Sequence, residues 1–371
     1  MRRGMFLATA AVAATGLLLA GCGGSDDSGG GGGGETTSAS AAKVGVILPD
    51  TKSSARWETA DRKYLEQAFK DAGVDYDIQN AQGDKTQFQT IADQMITSGV
   101  NVLMIVNLDS GSGKAVLQKA QAQGIATIDY DRLTLGGGAD FYVSFDNVEV
   151  GRLQGQGLEK CLTDAGTTTA NIAFLNGSPT DNNATLFKQG AVEALKEKTD
   201  SGDYTVVADQ DVPDWDNQQA GTIFEQMYTE TGGKIDGVLA ANDGLGNAAI
   251  AILKKNGVNG TVPVTGQDAT DQGLQNILAG DQCMTVYKAV KKEADAAAAL
   301  AVALATGGDT SSLATGTVTD TETDKEVDAV LLKPEAIYFD NVKDVIADGY
   351  TTKENVCTEA LADACASAGI S

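Results

Sequence analysis

From Lys43 onward, short runs of β-branched and apolar residues alternate with segments whose apolar positions recur every three or four residues. That is the signature of strands and amphipathic helices taken in turn. Residues 44–48 predict a strand, and Trp57, Tyr64, Leu65, Ala68 and Phe69 predict the following helix, which Gly73 stops. Strands are expected next at 75–79, 102–106, 125–128 and 141–145, with helices over 88–96 and 116–122. A second series follows: helix 148–162, strand 172–175, helix 184–196, strand 205–208, helix 224–228, strand 237–241, helix 248–253, strand 262–265 and helix 274–278. A strand at 284–287 and an Ala-rich helix over 289–305 close it. Such alternation implies parallel sheets covered by helices on both faces. About ten strands exceed one comfortable sheet. The expected fold class is therefore α/β, with two doubly wound, Rossmann-like parallel-sheet domains. Residues 309–326, rich in Thr, Asp, Ser and Gly and without periodicity, read as a solvated loop whose acidic spacing fits no EF-hand.

Ahead of this pattern the chain is different in kind. Arg2 and Arg3 precede an apolar run from Met5 to about Leu19, too short for a membrane-spanning helix and read as a signal peptide over 1–21. The run ends in Leu19-Ala20-Gly21-Cys22, which resembles a bacterial lipobox and makes Cys22 a lipidation site. Residues 22–42, with the run Gly29 to Gly34, cannot form a core. As a flexible tether they would span roughly 25 Å. The protein is expected to be exported and held by lipid on the outer side of the cytoplasmic membrane.

Composition narrows the chemistry. The 371 residues carry 51 acidic and 27 basic side chains and no histidine, a formal charge of −24. Nucleic acid is excluded as a partner, since phosphate binding needs clustered Lys and Arg. Without imidazole, the Ser-His-Asp and Cys-His arrangements are impossible and zinc loses its commonest nitrogen ligand. No GxGxxG or P-loop pattern follows any strand, so no cofactor or metal is expected. Four cysteines besides Cys22, namely Cys161, Cys283, Cys357 and Cys365, suit an oxidising compartment and two disulfides in any of three connectivities. Four free thiols are the alternative.

In open parallel sheets, ligands bind beyond the carboxyl ends of the strands. Those positions here carry Asp131 and Arg132, Asp146 and Asn147, Asp181 to Asn183, Asn242 and Asp243, Gln267 and Asp268, and Lys288. Carboxylates, amides and cations together can satisfy every hydroxyl of a sugar. The C–H faces of a sugar ring call for aromatics, and the only two tryptophans, Trp57 and Trp215, sit among polar residues near expected strand ends. Each feature has a plainer alternative. Asx residues after strands commonly cap the next helix, which suits Asp146 and Asp243 taken singly. Arg132 beside Asp131 reads equally as a surface ion pair, and either indole as core packing.

Taken together, the strings Arg56-Trp57, Tyr130-Asp131-Arg132, Ser144-Phe145-Asp146-Asn147, Gly177-Ser178-Pro179 running to Asp181-Asn182-Asn183-Ala184, Gly266-Gln267-Asp268-Ala269 and Thr285-Val286-Tyr287-Lys288 resemble a known family. It is the ribose/galactose-type (type I) solute-binding proteins of ABC sugar importers, and its D-xylose binders in particular, over about 43–345. The resemblance implies two lobes joined by a three-stranded hinge, crossing near 145–147, 287–289 and 328–332. One lobe would be 43–147 plus 289–326, the other 148–288 plus 327–371. A monosaccharide, D-xylose first, would lie between them, bonded by Arg56, Asp131, Arg132, Asp181, Asn183, Asn242, Asp268 and Lys288 and stacked on Trp57 and Trp215. The partners implied are that sugar and an ABC permease, with the protein a monomer. In the implied topology Cys161 and Cys283 both lie at the far side of the second lobe and pair. Cys357 and Cys365, about 12 Å apart on an unbroken helix, pair only if that helix breaks, since bridging needs roughly 7 Å or less.

Three features depart from the family's pattern: Pro49 before Asp50 where the xylose binders carry paired acidic residues, the enlarged acidic loop from Asp309, and the two-cysteine tail. The first touches the cleft and leaves hexoses such as glucose or galactose open beside pentose. Two other classes compete. A carboxylate-based glycosidase would use Asp131 and Asp268 as its pair. The ligand core of a transcription regulator would need a basic helix-turn-helix before Lys43, and the export signal stands there instead.

Overall fold

A computed structural model describes residues 42–371. The expected signal peptide, the tether as far as residue 41, and Cys22 lie outside the described residues. Seven strands form the first sheet: β1 (Lys43–Leu48), β2 (Asp75–Asn80), β3 (Val102–Ile105), β4 (Ala126–Tyr130), β5 (Phe141–Phe145), β10 (Gly316–Asp320) and β11 (Lys325–Leu332), in the order β10-β11-β5-β4-β3-β1-β2. All pairings are parallel except β10 with β11. The second lobe carries β6 (Ala170–Asn176), β7 (Tyr204–Asp211) and β8 (Gly237–Ala240) in the order β7-β6-β8. Residues 262–268 extend it through single bridges from Val264 to Val238 and from Gln267 to Val286. The second of these reaches β9 (Thr285–Tyr287), which pairs antiparallel with β12 (Glu335–Ile337).

Helices α1 (Arg62–Ala72), α2 (Lys85–Thr97), α3 (Ser110–Gln121), α4 (Asn147–Asp164), α5 (Asn182–Ser201), α6 (Asn217–Glu230), α7 (Asp243–Lys255), α8 (Asp271–Ala279) and α9 (Val290–Thr306) fill the connections. Both faces of the first sheet are covered. Val44, Val46 and Leu48 pack with Leu65, Phe69, Ala297 and Ala301 on one side, while Ile47, Leu103 and Ile105 pack with Phe88, Ile91, Met95 and Leu117 on the other. Polar side chains start most of the helices: Asp84, Asp109, Asp146, Asp181, Asp216, Asn242 and Thr270 each accept a backbone N–H in the first turn of α2 to α8 in order. Asx residues at strand ends are therefore capping groups first, as expected for Asp146.

The chain passes between the lobes three times, after β5, after β9 and after β11. Because β11 pairs with β5 along Asp328–Leu332, the first lobe's sheet runs to Leu332 and not to Glu326. The expected solvated loop is likewise corrected. Its second half is the β10–β11 hairpin, where Thr317, Val318 and Thr319 alternate between faces at a sheet edge. The hairpin is tied down at buried Asp320, which accepts the Gly136 N–H at 2.8 Å. Charge and Thr content concealed a period of two. The strand expected at 262–265 reduces to a bridge because Pro263 has no N–H to give.

Both disulfides have the expected partners, Cys161 with Cys283 (Cα–Cα 6.4 Å) and Cys357 with Cys365 (6.0 Å). The second is possible because the tail helix does break: Cys357 leaves helical geometry at φ −93°, ψ 77° before the next short helices begin.

In the second lobe α4 and α5 run in direct backbone contact. A Cβ on Gly151 would overlap the Phe187 carbonyl oxygen, and one on Gly190 that of Val148. Gly190→Ala must push the two helices apart. It is expected to lower the free energy of unfolding by about 1 to 3 kcal/mol, read from urea denaturation; a variant as stable as the parent would contradict the contact.

Candidate functional site

All ten residues expected at the site line one cavity between the lobes. Arg56 and Trp57 reach it from the loop after β1, and Asp131 and Arg132 stand directly beyond β4. From the second lobe, Asp181 and Asn183 follow β6, Trp215 follows β7, Asn242 follows β8, Asp268 follows the bridging segment and Lys288 follows β9. Each lies past a carboxyl strand end, where the helix N-termini leave backbone donors and polar caps together.

The charged groups form one buried network. The Arg56 guanidinium donates to Asp61 (2.8 and 2.9 Å), Glu293 (2.6 Å) and Asp131 (3.0 Å). Lys288 Nζ lies 3.3 Å from Asp131 and 3.6 Å from Asp268. Arg132 pairs with Asp181 at 2.9 Å, and the Trp215 indole N–H donates to the same Asp181 oxygen at 3.1 Å. Arg132 is thus no surface pair. Other direct bonds join the lobes: Asn183 Nδ2 donates to the Asp131 carbonyl at 2.9 Å, Asn242 Nδ2 to the Ser53 carbonyl at 3.2 Å, and Ser54 Oγ to Asp268 at 3.1 Å. Even so, one buried acceptor at the cavity, Gln267 Oε1, has no hydrogen-bond partner, and Asp268 Oδ1 has only the Lys288 ammonium at 3.6 Å. Such groups cost free energy unless something bonds them.

Backbone conformation sharpens this placement. Asp131, Trp215 and Asp268 all hold positive φ, at 62°, 54° and 94°. Non-glycine residues rarely do so, and such strain gathers at functional sites. Both indoles also belong to the hydrophobic cores of their lobes, so packing and lining are joint roles. Trp57 carries the Arg56 guanidinium 4.5 Å from its ring centroid, a cation–π contact. Trp215 lies against Gly177, where any Cβ would overlap the indole ring.

Burial alone would raise the Asp131 carboxyl, but Lys288, Arg56 and Arg132 outweigh it and hold the group well below the usual carboxylate range. Glu293 goes the other way. Burial pushes it well above that range, with Asp131 and Asp61 adding to the rise against the pull of Arg56.

Comparison with known proteins fits this geometry. A family model of the periplasmic binding protein domain matches residues 44–309. The chain belongs to the type I periplasmic binding proteins. It is 36% identical over 309 residues to the D-xylose-binding periplasmic protein of Escherichia coli (strain K12), covering 83% of this chain and 90% of that one. It is also 36% identical over 260 residues to the multiple sugar-binding periplasmic receptor ChvE of Rhizobium radiobacter, covering 66% and 73%. Among solved structures, a carbohydrate transporter solute-binding protein from Chloroflexus aurantiacus in complex with D-glucose superposes with TM-score 0.75 at 28% identity, covering 84% of this chain and 97% of that one.

As a periplasmic binding protein the chain is not an enzyme, and Asp131 and Asp268 do not act as a hydrolytic pair: Lys288 sits beside both. Four further residues line the cavity, Ser53, Ser54, Phe187 and Gln267. Beneath them Asp61, Glu293 and Tyr130 hold Arg56, the Tyr130 hydroxyl donating to Asp61 at 2.7 Å. The sequence did carry a signal for two of these. Asp61 shares a face with Trp57 and Leu65, and Glu293 with Ala297 and Leu300, so each is a carboxylate on the apolar side of a helix. Asp243, by contrast, does not line the cavity. It is buried, accepting from Thr270, Gln282 and Thr285, which ties α7 to α8 and β9.

Because its folded-state pKa is raised, Glu293 keeps a proton that the unfolded chain has already released. Its contribution to stability is complete below the ordinary Glu value and lost as pH rises through the raised one. Glu293→Gln, permanently neutral, is expected to flatten the fall in stability as pH rises above about 4.5 by up to about 1.4 kcal/mol per pH unit. Urea unfolding across that range reads it, and an unaltered slope would show that Glu293 is ionised in the folded protein.

Proposed function

We propose that the protein captures a monosaccharide, D-xylose in first place, by closing its two lobes on the ring, and delivers it to an ABC permease in the membrane. The observation that carries this reading is the convergence of Arg56, Asp131, Arg132, Asp181, Asn183, Asn242, Asp268 and Lys288 with two indoles on one cavity, alongside the unpartnered acceptor of Gln267. Such a set suits hydroxyls that both donate and accept, while Trp57 and Trp215 suit the C–H faces of a ring. Cys22 would carry the lipid that holds this monomeric receptor on the outer side of the cytoplasmic membrane, with the glycine-rich segment as its tether.

A hexose such as glucose or galactose is the second reading. Two neighbours in structure with glucose bound support it.

Calorimetric titration with xylose, glucose, galactose, ribose and arabinose separates the two readings, and no heat with any of them would sink both. In the same assay Trp215→Ala is expected to weaken the preferred sugar by more than about tenfold, since ring contact contributes roughly 0.5 to 1.5 kcal/mol beyond plain burial. Unchanged affinity in the folded variant would leave Trp215 with packing alone.

The polar groups are divided between lobes, so a sugar bonds all of them only when the cleft is shut, and its preference for that state drives closure. Asp268→Ala removes a charge-assisted acceptor, at roughly 1.5 to 3 kcal/mol. Small-angle scattering should show the wild-type protein becoming more compact on adding sugar, and the variant responding only at concentrations at least about tenfold higher. A wild-type radius of gyration indifferent to saturating sugar would rule out the clamp.

A further inference from the structure

The loop that follows β1 begins with the Pro49-Asp50 pair that sets this sequence apart, and Asp50 is buried although it does not line the cavity. Its two carboxylate oxygens have different partners. Oδ1 accepts the backbone N–H groups of Lys52 (2.7 Å) and Ser53 (2.6 Å), an Asx turn that shapes the loop. Oδ2 accepts the Ser53 hydroxyl at 3.0 Å.

That second bond has a consequence for the site. A hydroxyl has one proton and two lone pairs. With its proton committed to Asp50, Ser53 Oγ can only accept, and two donors meet it: the Trp57 indole N–H at 3.0 Å and Arg132 Nη2 at 3.4 Å. The full capacity of the hydroxyl is used, and in one polarity only. An ionised carboxylate at position 50 thus fixes the direction of a short chain that ends on two residues of the cavity.

We infer that Asp50 is a positioning residue for the ligand cavity, orienting Trp57 and Arg132 through the Ser53 hydroxyl. The inference rests on the reading of that cavity as a sugar site. Asp50→Asn separates it from a role in loop shape alone. The amide oxygen still closes the Asx turn, but the amide nitrogen replaces Oδ2. Three donors then face an oxygen with two lone pairs, and the Ser53 proton has no acceptor. One donor has to leave.

The chain has two tryptophans, so its ¹H–¹⁵N spectrum holds two indole resonances, which Trp57→Phe assigns. Asp50→Asn is expected to shift the Trp57 indole signal, bonded directly to Ser53, by more than that of Trp215, which meets Arg132 only through Asp181. It should also weaken the sugar that wild type binds best among the five titrated above by about tenfold in calorimetry. Ser53→Ala, which keeps the turn at Asp50 and removes only the relay, should move the same resonance. Combined with Asp50→Asn it should cost less than the sum of the two single losses; should Asp50→Asn not fold, Ser53→Ala alone decides. A stationary Trp57 resonance, or unchanged affinity in a wild-type protein that binds sugar, overturns the relay. Failure of the wild-type protein to bind any of xylose, glucose, galactose, ribose and arabinose overturns the sugar reading instead, and is seen before any variant is made.

Discussion

The carboxylate of Asp131 is the point on which the site depends. It sits in a left-handed backbone turn at the end of β4, buried, with Arg56 at 3.0 Å and Lys288 at 3.3 Å on one oxygen and Asn183 bonded to its carbonyl. Arg56 comes from the loop after β1, Asn183 from the start of α5, and Lys288 from the crossing after β9. One residue therefore gathers both lobes and a connecting strand. A buried charge of this kind is costly unless fully paired, and here the pairing fixes where three distant segments lie.

The network extends downward as well as across the cleft. Arg56 would be an expensive cation to bury against Asp131 alone, and it is held from beneath by the Asp61 carboxylate and by a hydrogen bond to the Glu293 carboxyl, the latter projecting from the first turn of α9. Since α9 follows directly on the crossing after β9, the same charge cluster that faces the cavity also braces a segment between the lobes. Cleft chemistry and lobe closure thus share their groups. The direct pairs between lobes, such as Arg132 with Asp181, are arrangements that a polar ligand would have to replace or join.

Much of this was legible in the amino-acid sequence. The alternation of period two and period 3.6 placed most strands and helices as far as α9, because one buried face per element leaves its mark locally, but none of the elements after residue 309. The polar groups after strand ends were visible for the same reason: in a parallel sheet the topology itself puts those ends together. The places where the pattern failed are informative. Pro263 broke an apolar run that otherwise reads as a strand, and the Thr-rich hairpin from Gly316 is too exposed to show an apolar period. The shared face of Glu293 with Ala297 and Leu300 was readable, but an Ala-rich helix does not by itself say which cation lies across from it.

By itself, then, the chain's own order of residues determined the α/β class, the two series of units, the four cysteines besides Cys22 and the identity of the polar groups at the strand ends, since each of these follows from local periodicity and composition. Only the tertiary structure decided the rest. It placed β11 in the first sheet, brought Arg132 against Ser53, and gave Asp131, Trp215 and Asp268 positive φ. These depend on contacts between residues far apart in sequence, whose energies exist only once the sheets are assembled, and no local pattern carries them.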